Sequence, residues 1–272
     1  MMNLILLIIE STILSTLLYY YLHKKTRISK KYFYIDNVGV ILVSAFSAVY
    51  FISFLPDAYN WIGYVVNAML VPIMAFSFTM IRFWRTPVRR SSAGEKEILS
   101  PADGNVIYIK RIEPNETPIS IKKKRISKLN ELTKTDLLKE PCWLVGINMT
   151  PFDVHKNAAP INGEIVLQQH TPGKFLSLKE NKALSENERN TFVFKNKETQ
   201  VGIVQIASRL VRKIDVYKNT GQQVNRGEWV GMIRFGSQVD VIIPANYKIK
   251  IKETEQIYVG ETVIATIDED IS

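Results

Sequence analysis

Two neighbouring residues near the C-terminal end of the chain could rearrange their own peptide bond. Gly236 precedes Ser237, between two runs rich in β-branched residues. The Ser237 hydroxyl could attack the Gly236 carbonyl carbon and convert the amide into an ester, and glycine lacks the Cβ that would hinder this approach. A hydroxyl is a poor nucleophile near neutral pH, so the step requires a base. The pair is therefore a candidate site for chemistry on the backbone itself.

Two residues far upstream could supply that base and its partner. His155 is the candidate base, and Asp103 could fix its tautomer, as in Ser-His-Asp arrangements that are recognised by geometry. Each residue also has an ordinary interpretation. Asp103 suits a turn, His155 could be a half-buried imidazole, and Gly236-Ser237 could be a bulge or tight bend. The functional interpretation rests on their occurring together in one chain.

Five sequence blocks, taken in order, resemble those of the phosphatidylserine decarboxylase family. The blocks are SPADG at 100–104, MTPFDVHKN at 149–157 with APING at 159–163, PGKF at 172–175, ERN at 188–190 and RFGSQVD at 234–240. The resemblance extends over residues 80 to 245 and includes FWRTP at 83–87. Gly236-Ser237-Gln238, in place of Leu-Gly-Ser-Thr, indicates the shorter branch of the family, which includes the archaetidylserine-type enzymes.

This resemblance implies a pyruvoyl-dependent decarboxylase, a lyase that makes its own cofactor. Cleavage between Gly236 and Ser237 would give a heterodimer of two fragments, and the small one would begin with a pyruvoyl group derived from Ser237. Its carbonyl would form a Schiff base with the amine of phosphatidylserine or archaetidylserine and accept the electrons released with carbon dioxide. His155 would reprotonate the product carbanion before the ethanolamine phospholipid leaves. Whether the heterodimers associate further stays open.

Three basic residues are candidates for contact with the anionic head group: Lys174, Arg189 and Arg234. Ammonium and guanidinium groups bind phosphate and carboxylate. Ordinary surface charge explains these residues equally well. No metal site is expected, because the chain's 3 histidines occur without a Cys/His cluster.

The chain departs at one position from the longer branch of the family, which has a second histidine three residues after the first. Ala158 occupies that position here. His155 would therefore serve both cleavage and turnover unless another residue takes one of these steps. His170 is the reserve candidate, and its alternative is a strand-end residue before Thr171.

The segment from Val216 to Glu228 is similar to the hammerhead hairpin of lipoyl-type and sugar-phosphocarrier domains. We therefore expect residues 91–272 to form a mostly β domain of the barrel-sandwich-hybrid kind. The same hairpin raises an alternative function, a non-enzymatic carrier or adaptor held at a membrane. The hairpin carries no lysine of the modified lipoyl type, which counts against the carrier.

Three apolar segments are long enough to cross a hydrocarbon core of about 30 Å. They run from Met2 to Leu22, from Val38 to Leu55 and from Trp61 to Ile81. We expect residues 1–90 to form a membrane anchor in which the last two segments make a hairpin. Glu10 is costly in lipid, and a cleaved signal peptide is the competing interpretation of the first segment. It is disfavoured because the basic residues follow this segment and do not precede it.

Basic residues cluster between the first two segments and directly after the third: Lys24, Lys25, Arg27, Lys30 and Lys31, then Arg82, Arg85, Arg89 and Arg90. The positive-inside rule puts both clusters, and with them the catalytic domain, on the cytoplasmic side of the cell membrane. The formal net charge of +9 then suits an anionic membrane surface. Nucleic-acid binding is disfavoured because no recognition motif accompanies the charge.

Short β-branched runs follow the apolar part and predict ten strands. They are 105–111, 143–149, 163–169, 191–194, 201–207, 211–217, 229–234, 239–243, 248–252 and 262–267. The basic stretch from Ser120 to Glu140 instead has apolar residues at helical spacing. It predicts an exposed amphipathic insertion of helical spacing, with an interfacial helix at an anionic lipid surface as the alternative.

Overall fold

The chain divides into two compact units, residues 1–85 and 86–272. The computed structural model describes residues 2–26, 30–114, 119–121, 124–126, 129–139, 141–174, 176–178, 183–208, 213–234 and 237–267. The first unit is helical and the second is mostly sheet. This division follows the change from continuous apolar sequence to short alternating runs.

Three long helices make up the first unit: α1 (Met2–Thr26), α2 (Lys30–Ile52) and α3 (Ile62–Trp84). A single 3₁₀ turn, Asp57–Tyr59, joins α2 to α3. Segments of all three are long and apolar enough to cross a membrane, namely Asn3–Lys24, Phe33–Ile52 and Ile62–Trp84. The prediction of three apolar helices long enough to cross a membrane is confirmed. Arg27, one of the predicted basic cluster, lies outside the described residues.

Polar side chains meet inside this apolar unit. The Asn67 amide nitrogen donates to Glu10 Oε2 (2.8 Å) and to the Leu7 carbonyl oxygen (3.2 Å). Ser11 Oγ donates to Asn67 Oδ1 at 2.9 Å. Arg82 Nε also donates to the buried Asp36 Oδ2 at 2.6 Å. Glu10, which counted against the first segment, is therefore accommodated by a partner on another helix.

The second unit contains sixteen strands and two short helices among its described residues. The strands are β1 (Glu97–Leu99), β2 (Gly104–Ile112), β3 (Ile119–Ile121), β4 (Lys124–Ile126), β5 (Cys142–Met149), β6 (Lys156–Ala158), β7 (Gly163–Thr171), β8 (Arg189–Lys195), β9 (Gln200–Ile206), β10 (Ile214–Val216), β11 (Gln223–Val224), β12 (Trp229–Ile233), β13 (Ser237–Pro244), β14 (Tyr247–Ile249), β15 (Gln256–Ile257) and β16 (Val263–Ile267). The helices are α4 (Leu129–Thr133) and α5 (Ala183–Glu186).

An antiparallel sheet of eight strands forms the centre of this unit, in the order β11-β7-β8-β9-β13-β5-β2-β15. Two three-stranded sheets, β1-β16-β14 and β10-β12-β6, accompany it. Successive residues of β13 enter two different cores, since Val239 and Val241 join one cluster and Ile242 joins the other. Both faces of the large sheet are therefore covered at its middle.

All ten predicted strands overlap strands of the structure, although residues 211–212 of one lie outside the described residues. The mostly β prediction is confirmed, while the finer barrel-sandwich arrangement stays a prediction. The helix predicted over 120–140 is wrong. Its first part is the β3–β4 hairpin, in which Ile119 pairs with Ile126, and α4 is the one helix among the residues of this stretch that the structure describes. β-branched isoleucines at these positions favour strands over a helix.

Candidate active site

His155 lies directly before β6, and its side chain is fully buried. Its Nδ1 lies 2.9 Å from the main-chain carbonyl oxygen of Asp153. A carbonyl oxygen can only accept, so Nδ1 carries the proton in this contact, and the neutral ring keeps its lone pair on Nε2. The ring is therefore held in the tautomer that a base acting through Nε2 requires.

Asp103 lies immediately before β2 and is also fully buried. Its Oδ1 accepts from the main-chain nitrogen of Val259 at 2.8 Å, and its Oδ2 accepts from that of Val154 at 3.3 Å. Both carboxylate oxygens accept hydrogen bonds from Arg89, with Nη2 at 2.9 Å from Oδ2. A buried carboxylate with this set of donors is well satisfied as the anion.

The contacts around His155 differ in one respect from the sequence prediction. Asp103 was expected on the ring nitrogen, whereas the contact described at Nδ1 is with the Asp153 carbonyl oxygen. The Asp103 carboxylate is directed instead to Arg89 and to the amide of Val154, the residue before His155. It thus holds the backbone that carries the histidine. The sequence did not indicate that Arg89 pairs with Asp103, because Arg89 was grouped with the basic residues that follow the third apolar segment.

The Asp153 side chain fixes the turn that leads into His155. Its Oδ2 accepts from both the main-chain nitrogen and the hydroxyl of Thr150, each at 2.7 Å, and its Oδ1 accepts from Gln256 at 3.0 Å. Burial raises the pKa of the Asp153 carboxyl; the hydrogen bonds from Thr150 and Gln256 oppose this rise, and nearby Asp103 adds to it. The negative charge of the Asp153 side chain is therefore costly, in the same residue whose main-chain carbonyl oxygen orients His155.

The backbone around the predicted cleavage site is anchored on both sides. The Ile233 main-chain nitrogen donates to the His155 carbonyl oxygen at 3.1 Å. Ser237 begins β13 opposite Met149, and Gly236 lies outside the described residues. Four residue steps of chain span at most roughly 14 Å. Ser237 therefore lies within that distance of Ile233, which contacts the His155 backbone, although Ser237 and His155 are 82 residues apart in sequence.

A family model described as "Phosphatidylserine decarboxylase" matches residues 76–265 of the chain. This range includes the four predicted catalytic residues: Asp103, His155, Gly236 and Ser237. The chain belongs to the phosphatidylserine decarboxylase family. It is a decarboxylase, and the enzyme interpretation is confirmed over the carrier alternative. The match begins within α3 and ends in β16.

Two archaeal relatives resemble the decarboxylase over most of their own length, and both are provisionally named archaetidylserine decarboxylase proenzyme. The protein from Methanocaldococcus jannaschii is 42% identical over 185 residues, which are 68% of this chain and 88% of the relative. The protein from Methanothermobacter thermautotrophicus is 34% identical over 206 residues, which are 75% of this chain and 86% of the relative.

Each of the predicted head-group residues has protein partners in the structure. Lys174 is exposed and pairs with Glu186 at 2.8 Å, and this hydrogen bond raises the pKa of Lys174. Arg234 Nε donates to Asp215 Oδ2 at 2.7 Å. Arg189 is 1% exposed and donates to main-chain carbonyl oxygens, among them that of Leu132 at 3.1 Å. Arg189 is therefore buried among protein partners, and its contact with the head group stays a prediction.

The reserve candidate His170 lies on β7. It is 41% exposed, and its Nε2 is 3.5 Å from Glu188 Oε1. Its strand, β7, is separated from β13 by β8 and β9. Three strand spacings amount to about 14 Å. His170 thus stays the reserve candidate for the base, and it differs from His155 in being exposed.

A chain of hydrogen-bonded amides joins β7, β8, β9 and β6; Gln168 is half-buried and the other three amides are buried. Gln168 donates to Asn190 at 2.6 Å, Asn190 to Gln205 at 2.9 Å, and Gln205 to Asn157 at 2.8 Å. Asn157 in turn donates to the Pro101 carbonyl oxygen at 3.4 Å. Such a satisfied network fixes the spacing between strands. Asn157 and Asn190 lie within the quoted sequence blocks, but no local pattern indicates that these amides are partners.

Proposed function

We propose that this protein is a self-processing pyruvoyl enzyme that decarboxylates a serine phospholipid, either phosphatidylserine or archaetidylserine. The observation that carries the proposal is the hydrogen bond between Ile233 and His155, because it ties the histidine to the strand that leads into the 236–237 bond. The names of the two archaeal relatives support a serine lipid as the substrate class.

The first step proposed is an acyl shift at Gly236. Ser237 Oγ bonds to the Gly236 carbonyl carbon, the C–N bond breaks, and the proton of the hydroxyl passes through His155 Nε2 to the released Ser237 nitrogen. Loss of the Ser237 Cα proton then expels the Gly236 carboxylate from Cβ. Water hydrolyses the remaining dehydroalanine to a pyruvoyl terminus and ammonia.

The surroundings fit such a terminus. Once formed, the pyruvoyl group supplies an electrophilic carbonyl and an electron sink for the loss of carbon dioxide. In turnover, His155 Nε2 holds the proton that replaces the lost carboxyl group, and the Asp153 carbonyl oxygen keeps that nitrogen correctly oriented. Asp103, anchored by Arg89, holds the Val154 amide and with it the position of His155.

The sheet supports a stable pair of fragments after cleavage. β13 belongs to the small fragment, and it pairs on one side with β5 and on the other with β9, both of the large fragment. Val239, for example, lies opposite Ile147 and Gln205. Breaking the bond ahead of β13 leaves these ladders intact. The three apolar helices would hold this heterodimer at the membrane that contains its substrate, with the second unit on the cytoplasmic side.

Denaturing gel electrophoresis and mass spectrometry of the full-length protein in detergent test the proposal. The parent should give two fragments, and the small one should begin with a blocked pyruvoyl group. Ser237→Ala should remain a single chain and release no carbon dioxide from a serine phospholipid, whereas the control Ser53→Ala should behave as the parent. A parent chain that stays whole, with an unmodified Ser237, would refute the proposal.

A further inference from the structure

A cavity of about 480 Å³ lies within the second unit, next to the Asp103 network. One wall is the extended segment 86–91, and the other contains Trp229 and Val259. Arg89 and Val259 line the cavity and also hydrogen-bond Asp103. Its volume falls in the range of small-ligand sites, which is about 300–1,000 Å³.

The described wall of this cavity contains three arginines and no acidic residue. Arg89 is neutralised by Asp103, with Glu261 at 3.7 Å from its Nε. Arg226 donates to main-chain carbonyl oxygens, those of Ala93 at 2.6 Å and Glu97 at 3.0 Å. Carbonyl dipoles satisfy its donors without cancelling its charge. Together with the exposed Arg90, the wall therefore carries a positive charge that favours an anion.

The position of this segment in the chain indicates where the anion comes from. Thr86 follows Trp84, the last residue of α3, by two residues. Two residues of chain cover at most roughly 7 Å. Because this wall begins two residues after α3, a helix long and apolar enough to cross a membrane, we take a membrane lipid as the source of the anion. Trp229 adds an amphipathic ring of the kind that is enriched where proteins meet lipid head groups.

We propose that this cavity binds the phosphate group of a phospholipid head group, with Arg90 as the principal contact and Arg226 adding to the field. A guanidinium group gives bidentate, charge-assisted hydrogen bonds to phosphate. The site is additional to the predicted contacts of Lys174, Arg189 and Arg234, which are not among the residues that line the cavity. It deepens the proposed function because it rests on a serine phospholipid as substrate, although phosphate binding can be measured without turnover.

The binding test uses full-length protein in detergent and glycerophosphoserine, a soluble head group that retains the phosphodiester. Titration is followed by tryptophan fluorescence, with Trp229→Phe identifying the contribution of the cavity. Arg90→Gln should weaken binding by about tenfold or more, and Arg90→Lys by less, because one charge-assisted contact is lost. The matched control Arg111→Gln removes an exposed arginine of β2 outside the cavity and should bind like the parent.

The same titration in the Ser237→Ala background separates this inference from the proposed function. Binding that persists in the uncut chain and weakens with Arg90→Gln supports the cavity whether or not the enzyme turns over. Binding within about twofold of the parent for Arg90→Gln, or equal weakening by Arg111→Gln, overturns it.

Turnover in vesicles then distinguishes two sources of the phosphate. If the bound lipid is the substrate, Arg90→Gln should raise the KM for the serine phospholipid with little change in kcat, and added phosphatidylglycerol should compete. If it is a second anionic lipid, phosphatidylglycerol should stimulate the parent and not the variant. Both results support a phosphate site. The site is contradicted if the parent and Arg90→Gln have equal KM values and neither responds to lipid composition.

Discussion

Arg89 and Asp103 form a two-pronged ion pair that joins the segment after α3 to the buried carboxylate beside the histidine turn. A third hydrogen bond runs from Arg89 Nη1 to the Val259 carbonyl oxygen at 3.1 Å, and the guanidinium lies 5.3 Å from the centre of the Tyr258 ring. Arg89 is thereby fixed from several directions. The burial of Asp103 as an anion depends on this partner.

Replacing Arg89 should slow self-cleavage without touching the reacting atoms. Arg89→Gln leaves the buried Asp103 carboxylate without its cation, and a displacement of the His155 turn by about 1 Å can cost about 10²-fold in rate. Arg89→Lys should recover part of the rate, since it restores the charge but not the fork. The rate is measured on gels over time, and its pH profile should shift in Arg89→Gln. A parent-like rate and profile would contradict the positioning role.

Asp153 should make stability depend on pH in a defined direction. Burial raises the pKa of its carboxyl, so the fold favours the neutral form. Its contribution is fully present below the ordinary pKa of about 4 and is lost as the pH rises through the raised value. Asp153→Asn lacks this titration. Thermal unfolding in detergent is measured from pH 4 to 7. The unfolding temperature of the parent should fall relative to that of Asp153→Asn as the pH rises, and the opposite trend would contradict this prediction.

Tyr108 should contribute to stability through a buried polar cluster. Its hydroxyl donates to Asp240 Oδ1 at 2.6 Å and accepts from Gln238 at 2.8 Å. Burial, followed by the nearby Asp240 charge, raises the pKa of Tyr108 well above its ordinary value, so the phenol stays protonated. Tyr108→Phe should cost about 1–3 kcal/mol, because buried partners lose a hydrogen bond. Denaturant unfolding measures this, with the exposed Tyr217→Phe as the control.

Gly104 should tolerate no side chain. Its φ is +151°, and an added Cβ would lie 2.4 Å from the Asn148 carbonyl oxygen. Gly104→Ala must therefore move either β2 or the adjoining Asp103, at a cost of about 1–3 kcal/mol. We expect a lower unfolding temperature together with slower self-cleavage. Gly221→Ala, which also has positive φ but meets nothing within 4 Å, controls for the backbone strain alone.

Asn67 should stabilise the helical unit. Its side chain contacts Glu10, Ser11 and the Leu7 carbonyl oxygen. Asn67→Leu removes these bonds, and each interhelical hydrogen bond in an apolar medium is worth about 0.6–2 kcal/mol. Unfolding in mixed detergent micelles should show this loss. The exposed Met69→Leu on the same helix should leave the midpoint unchanged, and equal midpoints for both variants would argue against the role.

The sequence alone determined the features that depend on local pattern. Continuous apolar segments of about 20 residues specify long helices, and alternating β-branched runs specify strands, so the three long helices and ten of the sixteen described strands could be predicted. The ordered blocks around Asp103, His155 and Ser237 identified the family. The β3–β4 hairpin was missed because apolar residues in a short, highly charged segment fit both periods.

The tertiary structure alone decided which side chains became partners. Arg89 reaches Asp103, the Asp153 carbonyl oxygen takes the ring nitrogen expected for Asp103, and Arg189 is buried. Nothing in the local sequence distinguishes an arginine that will be buried from one that will face solvent. Partnership depends on strand register and on loops that converge from distant parts of the chain. The residue types therefore indicated the chemistry, whereas the hydrogen bonds and ion pairs that support it could be identified only from the fold.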